Sequence, residues 1–504
     1  MIELSMDNTN LRPVGYAELV RRYRLEVIPN WHRSMIAFSG THTINTTDGI
    51  VEEVYPVKYW PGEELGDHLE FALKYDGVNL EILVVLFEAL DEKEMLQYVA
   101  SKPTGKYARR IWYLFEFLTA KRLPLDNLSQ GNYVDILDPD RYYTVDPAQK
   151  IQRQRVNDNL LGKPSFCATI RRTEKLEQFE HANFHERVQK IISAYSIQQL
   201  KRALSYLYTK ETKSSFEIEK VKASSSRTER FITLLQLAET EDFCQKTRFI
   251  ELQNRIVDPR FLDSDYRSNQ NYVGETVALG KERIHYICPK PEDIVNLMDG
   301  LVDSHELLDN CNIPPVIHAT VIAYGFVFLH PFEDGNGRIH RFLIHNSLAR
   351  RGFINQGIMF PVSAAMLNNL SEYDQSLEAF SKHIMSIVDY TLNEDGSMVI
   401  NNDTARWYRY IDMTPQAEAL CWFIEKTIDT ELVVELEFLA KYDEAKNALQ
   451  EIIDMPDQKI DLFIRLCVQN RGKLSEKKRK NHFDLLTDDE IIQMESIIKS
   501  VYGN

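Results

Sequence analysis

Two helix-forming segments joined by a short glycine-bearing loop limit the folding of this chain more than any other feature. VIHATVIAYGFVFL (316–329) is apolar almost throughout and reads as a buried helix. It runs into His330, and Pro331 stops it, because proline has no N–H to continue the ladder. The loop FEDGNG follows. Gly335 and Gly337 permit positive φ and close backbone approach, and Asn336 between them tolerates left-handed geometry. A second helix starts near Gly337 with the pattern RIHRFLIHNSLARR and ends at Gly352. Arg350 and Arg351 fall in its last turn, where the helix dipole favours cations. Such a loop points successive N–H groups inward at a helix N-terminus, which suits an anion.

The side chains around the loop suit a phosphorylated anion. Arg338 and Arg341 are three apart, so they project from one face of the first turn, and each can grip two oxygens. Asp334 is a carboxylate beside that site, the kind of ligand Mg2+ takes together with phosphate oxygens and water. His330 at the helix end suits a general base, since an ordinary imidazole pKa of about 6.5 lies near neutrality. Singly, each residue has an ordinary structural reading. Together in 330–341 they are the set that phosphoryl-type transfer needs: base, metal ligand, anion nest and charge clamp. The sequence has no G-x-x-x-x-G-K-[ST], no H-E-x-x-H, and no third glycine at dinucleotide-binding spacing.

HPFEDGNGRIHR matches every specified position of H-P-F-x-D/E-G-N-G-R-x-x-R, and on this stretch the chain resembles the Fic family. The resemblance implies a helical core with the signature between two helices. It implies transfer of AMP from Mg-ATP to a Ser, Thr or Tyr hydroxyl of a protein, with release of pyrophosphate. Carried over, His330 deprotonates the target hydroxyl and Asp334 holds Mg2+ on the phosphates. Gly335, Asn336 and Gly337 form the nest, and Arg338 and Arg341 bind phosphate. RSNQNYVG (267–274) resembles the R-x-x-Q-x-x-V-G strand of the hairpin flap in Fic proteins, which covers the nucleotide and lines up the target. Asn271, Tyr272, Val273 and Gly274 are therefore candidate nucleotide contacts. ICPKPEDIVNLM (287–298) resembles the proline-rich exit from that flap.

SSFEIEK (214–220) resembles the family's inhibitory helix, S/T-x-x-x-E-G/N. Ser215, Ile218 and Glu219 match, while Lys220 replaces the usual Gly or Asn, a departure that bears on the local packing and on the strength of the brake. The resemblance sets Glu219 against Arg341, where a carboxylate competes with phosphate for a guanidinium. Met366, Asn369 and Tyr373 lie where the family closes its base pocket. The core resemblance covers about 205–390, and the flanks are similar to those of a longer bacterial subgroup. Two alternatives stay open. One is a Fic-fold transferase that uses another donor, such as UMP or phosphate, or that removes AMP. The other is a weakly active nucleotide-sensing or toxin–antitoxin-like module.

A length of 504 residues is too much for one ordinary core, and three regions are expected in a mainly α chain. Residues 1–150 read as mostly helical, from GYAELVRRY to the stripes over 68–122, with one short strand in EEVYPVKYWPGEE. Residues 151–395 hold helical patterns at 184–208, 229–256, 291–310, 316–329 and 337–351, with a hairpin over 270–288 turning at Gly280 and Lys281. Residues 396–504 begin in the turn-rich LNEDGSMVINNDT and carry helices at 414–428, 431–453, 458–470 and 487–501. The last has Thr487 and Glu490 at capping-box spacing.

A net charge of −16 repels nucleic acid and anionic lipid, so neither is expected as a partner, and RGKLSEKKRK (471–480) reads as a solvated loop. Six scattered cysteines without C-x-x-C spacing read as buried free thiols in a reducing compartment. The N-terminus lacks the pattern of a signal peptide, and the most apolar stretch, LEILVVLFEAL (80–90), falls short of the ~20 residues of a membrane span. A cytoplasmic protein is expected, acting on a protein partner, with self-modification and a homodimer both compatible with the reading.

Overall fold

The computed structural model describes residues 11–47, 49–278, 281–353 and 359–503. Gly280, expected in the hairpin turn, and the first ten residues lie outside them. The described residues are mainly helical, with small sheets. The packing groups the chain into two units whose boundaries do not fall at 150 and 395. One unit is Met1–Ala182, Glu219–Phe353 and Asn369–Trp422; the other is Asn183–Ile218, Ile354–Asn368 and Phe423–Asn504.

The first unit opens with more sheet than the sequence suggests. Leu11–Val14, His32–Ala37, Ile50–Pro56 and Thr43–Thr47 lie side by side in that order, the central pair parallel and the outer pairs antiparallel. Only Ile50–Pro56 overlaps the expected strand. HRSMIA and TINTT do not read as apolar alternations, which hides them in the sequence, although burial does alternate along the start of His32–Ala37. Helices Leu80–Ala89 and Lys106–Thr119 supply the core here, with Leu83, Leu86, Phe87, Ile111, Leu114 and Phe115 all buried. Burying each such side chain contributes roughly 1.5–3 kcal/mol.

The signature helices are Pro315–Leu329, called upstream below, and Asn336–Arg350, called downstream. Every residue of the upstream helix after Pro315 is buried, which explains its apolar run without a polar stripe. Pro291–Asp309 packs along it. The expected patterns at 291–310, 316–329 and 337–351 each form one helix. The pattern at 229–256 breaks into Ser225–Leu237 and Lys246–Ile256. LNEDGSMVINNDT, expected as a boundary, forms a small hairpin of Tyr390–Leu392 with Met398–Ile400 inside this unit.

In the second unit, the pattern at 184–208 divides into Phe184–Ile192 and Ile197–Ile218. Ser196 starts the latter, its backbone N–H donating to Gln199 Oε1 at 2.9 Å and its Oγ accepting from Gln199 N at 3.3 Å. Val433–Ile452, Asp457–Gln469 and Asp488–Tyr502 pack around Leu449, Phe463, Ile464, Met494 and Ile498. The capping box at Thr487 and Glu490 forms, with both reciprocal bonds made. Part of the basic run, expected as a loop, is the short exposed helix Glu476–His482. No described helix is long and apolar enough to cross a membrane.

Candidate active site

His330 caps the upstream helix just after Leu329, and its backbone turns left-handed there, at φ 51 and ψ 58. For a residue with a Cβ this costs about 1–2 kcal/mol, so the surroundings must hold it. Arg267 does so: its Nε donates to His330 O at 2.8 Å, and its backbone N–H donates to Pro331 O at 2.8 Å. The imidazole Nδ1 lies 3.3 Å from Val327 O. A carbonyl only accepts, so the ring proton sits on Nδ1 and the lone pair on Nε2. Burial, and then the charge of Arg267, hold the imidazole down to about 4. His330 is therefore a neutral base near physiological pH.

The loop closes on itself through Asn336. Its Nδ2 donates to Phe332 O at 2.7 Å, and its Oδ1 accepts from Phe332 N at 3.1 Å. Its buried side chain thus shapes the loop from within. Gly335 caps the downstream helix at φ 96, where a Cβ would lie 3.0 Å from Val257 Cγ1. Arg338 is buried, pairs with Asp334, and points a second nitrogen at Ile256 O. Arg227 donates to the same carbonyl at 2.9 Å, so two guanidiniums meet beside the loop. The spacing of the signature gives no sign of Arg227.

Among the described residues, no group of three or more His, Cys, Asp or Glu is arranged to hold a metal. Asp334 offers one half-exposed carboxylate at the loop, and Asp263 lies near enough for Asp334 to raise its carboxyl, after burial. That donor set fits Mg2+, which takes one or two carboxylates and completes its shell with phosphate and water.

Glu219 and Arg341 meet. Arg341 is buried and its Nη2 donates to Glu219 Oε1 at 2.8 Å. The same carboxylate fills the space beside Gly337, where a Cβ would lie 2.1 Å from Glu219 Oε1. Arg341 Nη1 also lies 3.3 Å from Tyr373 OH, which is 3.2 Å from His340 Nδ1. Tyr373 therefore backs the second arginine; Asn369 opens the same helix, Leu370–Ile387, and Met366 belongs to the other unit. Helix Ile197–Ile218 ends just before Glu219, with Ser215 fully buried one turn earlier. Lys220 then adopts φ 55, the left-handed geometry that Gly or Asn accepts at less cost.

The hairpin pairs Tyr272–Ala278 with Lys281–Ile287, antiparallel, with Tyr272 opposite Ile287 and Val273 opposite Tyr286. Asn271 tethers its base to the signature loop, with Nδ2 3.4 Å from Phe332 O, while its Oδ1 accepts from Tyr272 N. Val273 is exposed, and a Cβ on Gly274 would press on Arg283 O at 2.8 Å. Tyr286 OH donates to Phe328 O, and Leu370–Ile387 packs on the strand Lys281–Ile287.

Residues 243–348, which hold the loop, both arginines and the hairpin, match the model of the Fic/DOC family. Over these residues the chain carries a Fic domain. Its Fic domain is similar to the protein adenylyltransferase Fic of Drosophila willistoni, at 35% identity over 107 residues, 21% of this chain and 19% of the relative. The Drosophila melanogaster protein of that name is 34% identical over 107 residues, 21% of this chain and 20% of the relative. The match thus spans about a fifth of the length of these curated relatives. A crystal structure of a Fic family protein from Desulfovibrio desulfuricans aligns with 64% of this chain and 85% of its own, at a TM-score of 0.37 and 18% identity. A Fic domain containing signaling protein from Bacteroides thetaiotaomicron aligns with 53% and 97%, at a TM-score of 0.36 and 18% identity. Glu219, Arg227 and Tyr373 all lie outside the matched Fic segment.

Proposed function

We propose that this Fic protein transfers AMP from Mg-ATP to a Ser, Thr or Tyr hydroxyl of a protein, releasing pyrophosphate, under restraint from Glu219. The observation that carries the reading is an anion already seated at the loop: the Glu219 carboxylate, bonded to Arg341 and pressed against Gly337. A helix N-terminus and guanidinium that take the chain's own carboxylate suit phosphate oxygens by the same charge and the same hydrogen bonds. That the similar Drosophila proteins are protein adenylyltransferases supports AMP over other groups.

In the proposed reaction, Nε2 of His330 accepts the proton of the target hydroxyl as its oxygen attacks the α-phosphorus. Arg338, Arg341 and the N-terminus of the downstream helix orient the polyphosphate and stabilise the charge that gathers on departing pyrophosphate. Asp334 would hold Mg2+, which supplies charge neutralisation on the phosphates when bound. Strand Tyr272–Ala278 would align the target segment by main-chain pairing. Glu219 denies one phosphate group its place on Arg341, so the resting chain is slow. A cytoplasmic setting supplies ATP and keeps the six buried cysteines as thiols.

The test is labelling by α-labelled ATP, with a lysate as the source of targets, for wild type, Glu219→Gly and His330→Ala. Glu219→Gly should label faster than wild type by about tenfold or more, since ~1.4 kcal/mol of removed competition is a factor of ten. His330→Ala should lose about a hundredfold or more. A Glu219→Gly protein that labels no more than His330→Ala overturns the transferase reading, and label from UTP alone overturns the choice of AMP.

A further inference from the structure

We infer that Arg267 is a positioning residue that joins the hairpin and the His330 loop into one piece, so that a target laid on the hairpin reaches His330 in register. The inference rests on the transferase reading above. Its ground is the placing of a single side chain. Arg267 Nε donates to His330 O at 2.8 Å, Nη1 to Asn269 O at 2.7 Å and Nη2 to Pro289 O at 2.6 Å. The backbone N–H of Arg267 adds Pro331 O at 2.8 Å. Asn269 leads into strand Tyr272–Ala278, and Pro289 follows strand Lys281–Ile287. Both legs of the hairpin and both residues of the His-Pro pair therefore meet on one residue.

The chemistry explains why arginine stands there. A guanidinium presents five N–H groups in a fixed planar fork, so it can hold carbonyls of three separate segments at set directions. An ammonium is a compact point of charge on a flexible stem and cannot reproduce that fork. Arg267 is 4% exposed, and no carboxylate pairs with it among the described residues. Among the described residues its side-chain hydrogen bonds go to carbonyl oxygens, which makes the buried charge a costly way to gain stability and an apt way to fix geometry. The carbonyl it grips is that of His330, whose left-handed backbone needs holding.

The charge has a second effect, because it faces the imidazole. The charged groups that bear on His330 are Arg267, from the segment before the hairpin, Glu219, beyond the end of helix Ile197–Ile218, and Asp334 in the loop. Arg267 opposes protonation of His330, and the two carboxylates favour it. Two substitutions separate fork from charge. Arg267→Lys keeps the charge and removes the fork; Arg267→Met removes both.

The experiment places each in the Glu219→Gly chain and measures labelling from α-labelled ATP against pH. Arg267→Lys should lower the maximal rate about a hundredfold, the scale of a misplacement of about 1 Å, with the acid limb unmoved. Arg267→Met should lose as much rate and move the acid limb up by about one pH unit. The KM for ATP should change less than about threefold in both, since the loss is in the reacting geometry and not in nucleotide binding. A lowered melting temperature with the parent's rate and the parent's acid limb overturns the inference, and so does an Arg267→Lys rate within about threefold of the parent. Should Arg267→Met fail to fold, the rate of Arg267→Lys decides. Amide hydrogen exchange of the resting chain tests the coupling without activity: residues 269–278 and 281–288, together with His330 and Phe332, should lose protection together in Arg267→Lys, and loss confined to one segment counts against the coupling. If the Glu219→Gly parent itself does not label, the transferase reading fails, while the exchange result still decides the coupling.

Discussion

At His330 the end of a helix, a carbonyl and a buried arginine together choose the protonation state of a base. Val327 O fixes the tautomer, and burial with Arg267 keeps the proton off Nε2. A depressed pKa in the folded chain means that the neutral form persists above it and is lost only as pH falls through it. Labelling by Glu219→Gly should therefore stay level from about pH 8 to about pH 6 and fall only as pH nears about 4, where ordinary imidazole would halve the rate near 6.5. Removing the Glu219 carboxylate takes away a charge that favours protonation, so this variant leans further the same way. A pH–rate curve whose acid limb centres near 6.5 would contradict this setting for His330. The places of Gly335 and the two arginines at the start of the downstream helix were legible because each rests on one residue type at one spacing. The side chain of Asn336 was not, since an asparagine that closes a loop and one that faces a ligand look alike in a sequence.

The helix Ile197–Ile218 shows what an element's end can control. Its sequence match is partial, and Lys220 is the departure. The structure gives the family's Gly or Asn at that place a physical reason: the backbone after Glu219 turns left-handed, at φ 55. Lysine bears a Cβ there, and asparagine accepts the region more readily. Lys220→Asn should raise stability by about 0.5–1 kcal/mol, read as a higher midpoint in urea with an unchanged m-value. It should also lower resting labelling by wild type, because Glu219 is then held on Arg341 with less strain. Stability unchanged and labelling raised would overturn that account. Helix starts were easier to read than this end: Thr487 with Glu490 declares itself by spacing, whereas strands His32–Ala37 and Thr43–Thr47 do not, because their register is set by neighbouring strands distant in sequence.

For the molecule as a whole, the second arginine collects partners from far along the chain. Glu219 lies 122 residues before Arg341 and Tyr373 lies 32 after it. Domain limits were the least legible feature, since the packing unites residues 1–182 with the Fic segment and the sequence marks no such union. The proposed competition at Arg341 would have a measurable effect on the entire fold. A ligand that binds only the native chain raises its melting temperature according to its affinity. Mg-ATP should raise the melting temperature of Glu219→Gly by roughly 2 °C more than that of wild type, as expected for about tenfold tighter binding. Equal shifts would show that the carboxylate does not contest the nucleotide.

The adjacency of Glu219 and the left-handed Lys220 also sets how readily mutation would retune the proposed restraint. Every glutamate codon becomes a glycine codon by one change at its middle base, and every lysine codon becomes an asparagine codon by one change at its third. Release and reinforcement of the ion pair with Arg341 thus lie in neighbouring codons, each a single nucleotide away. A population carrying this gene would meet both variants by ordinary point mutation, with the signature itself untouched.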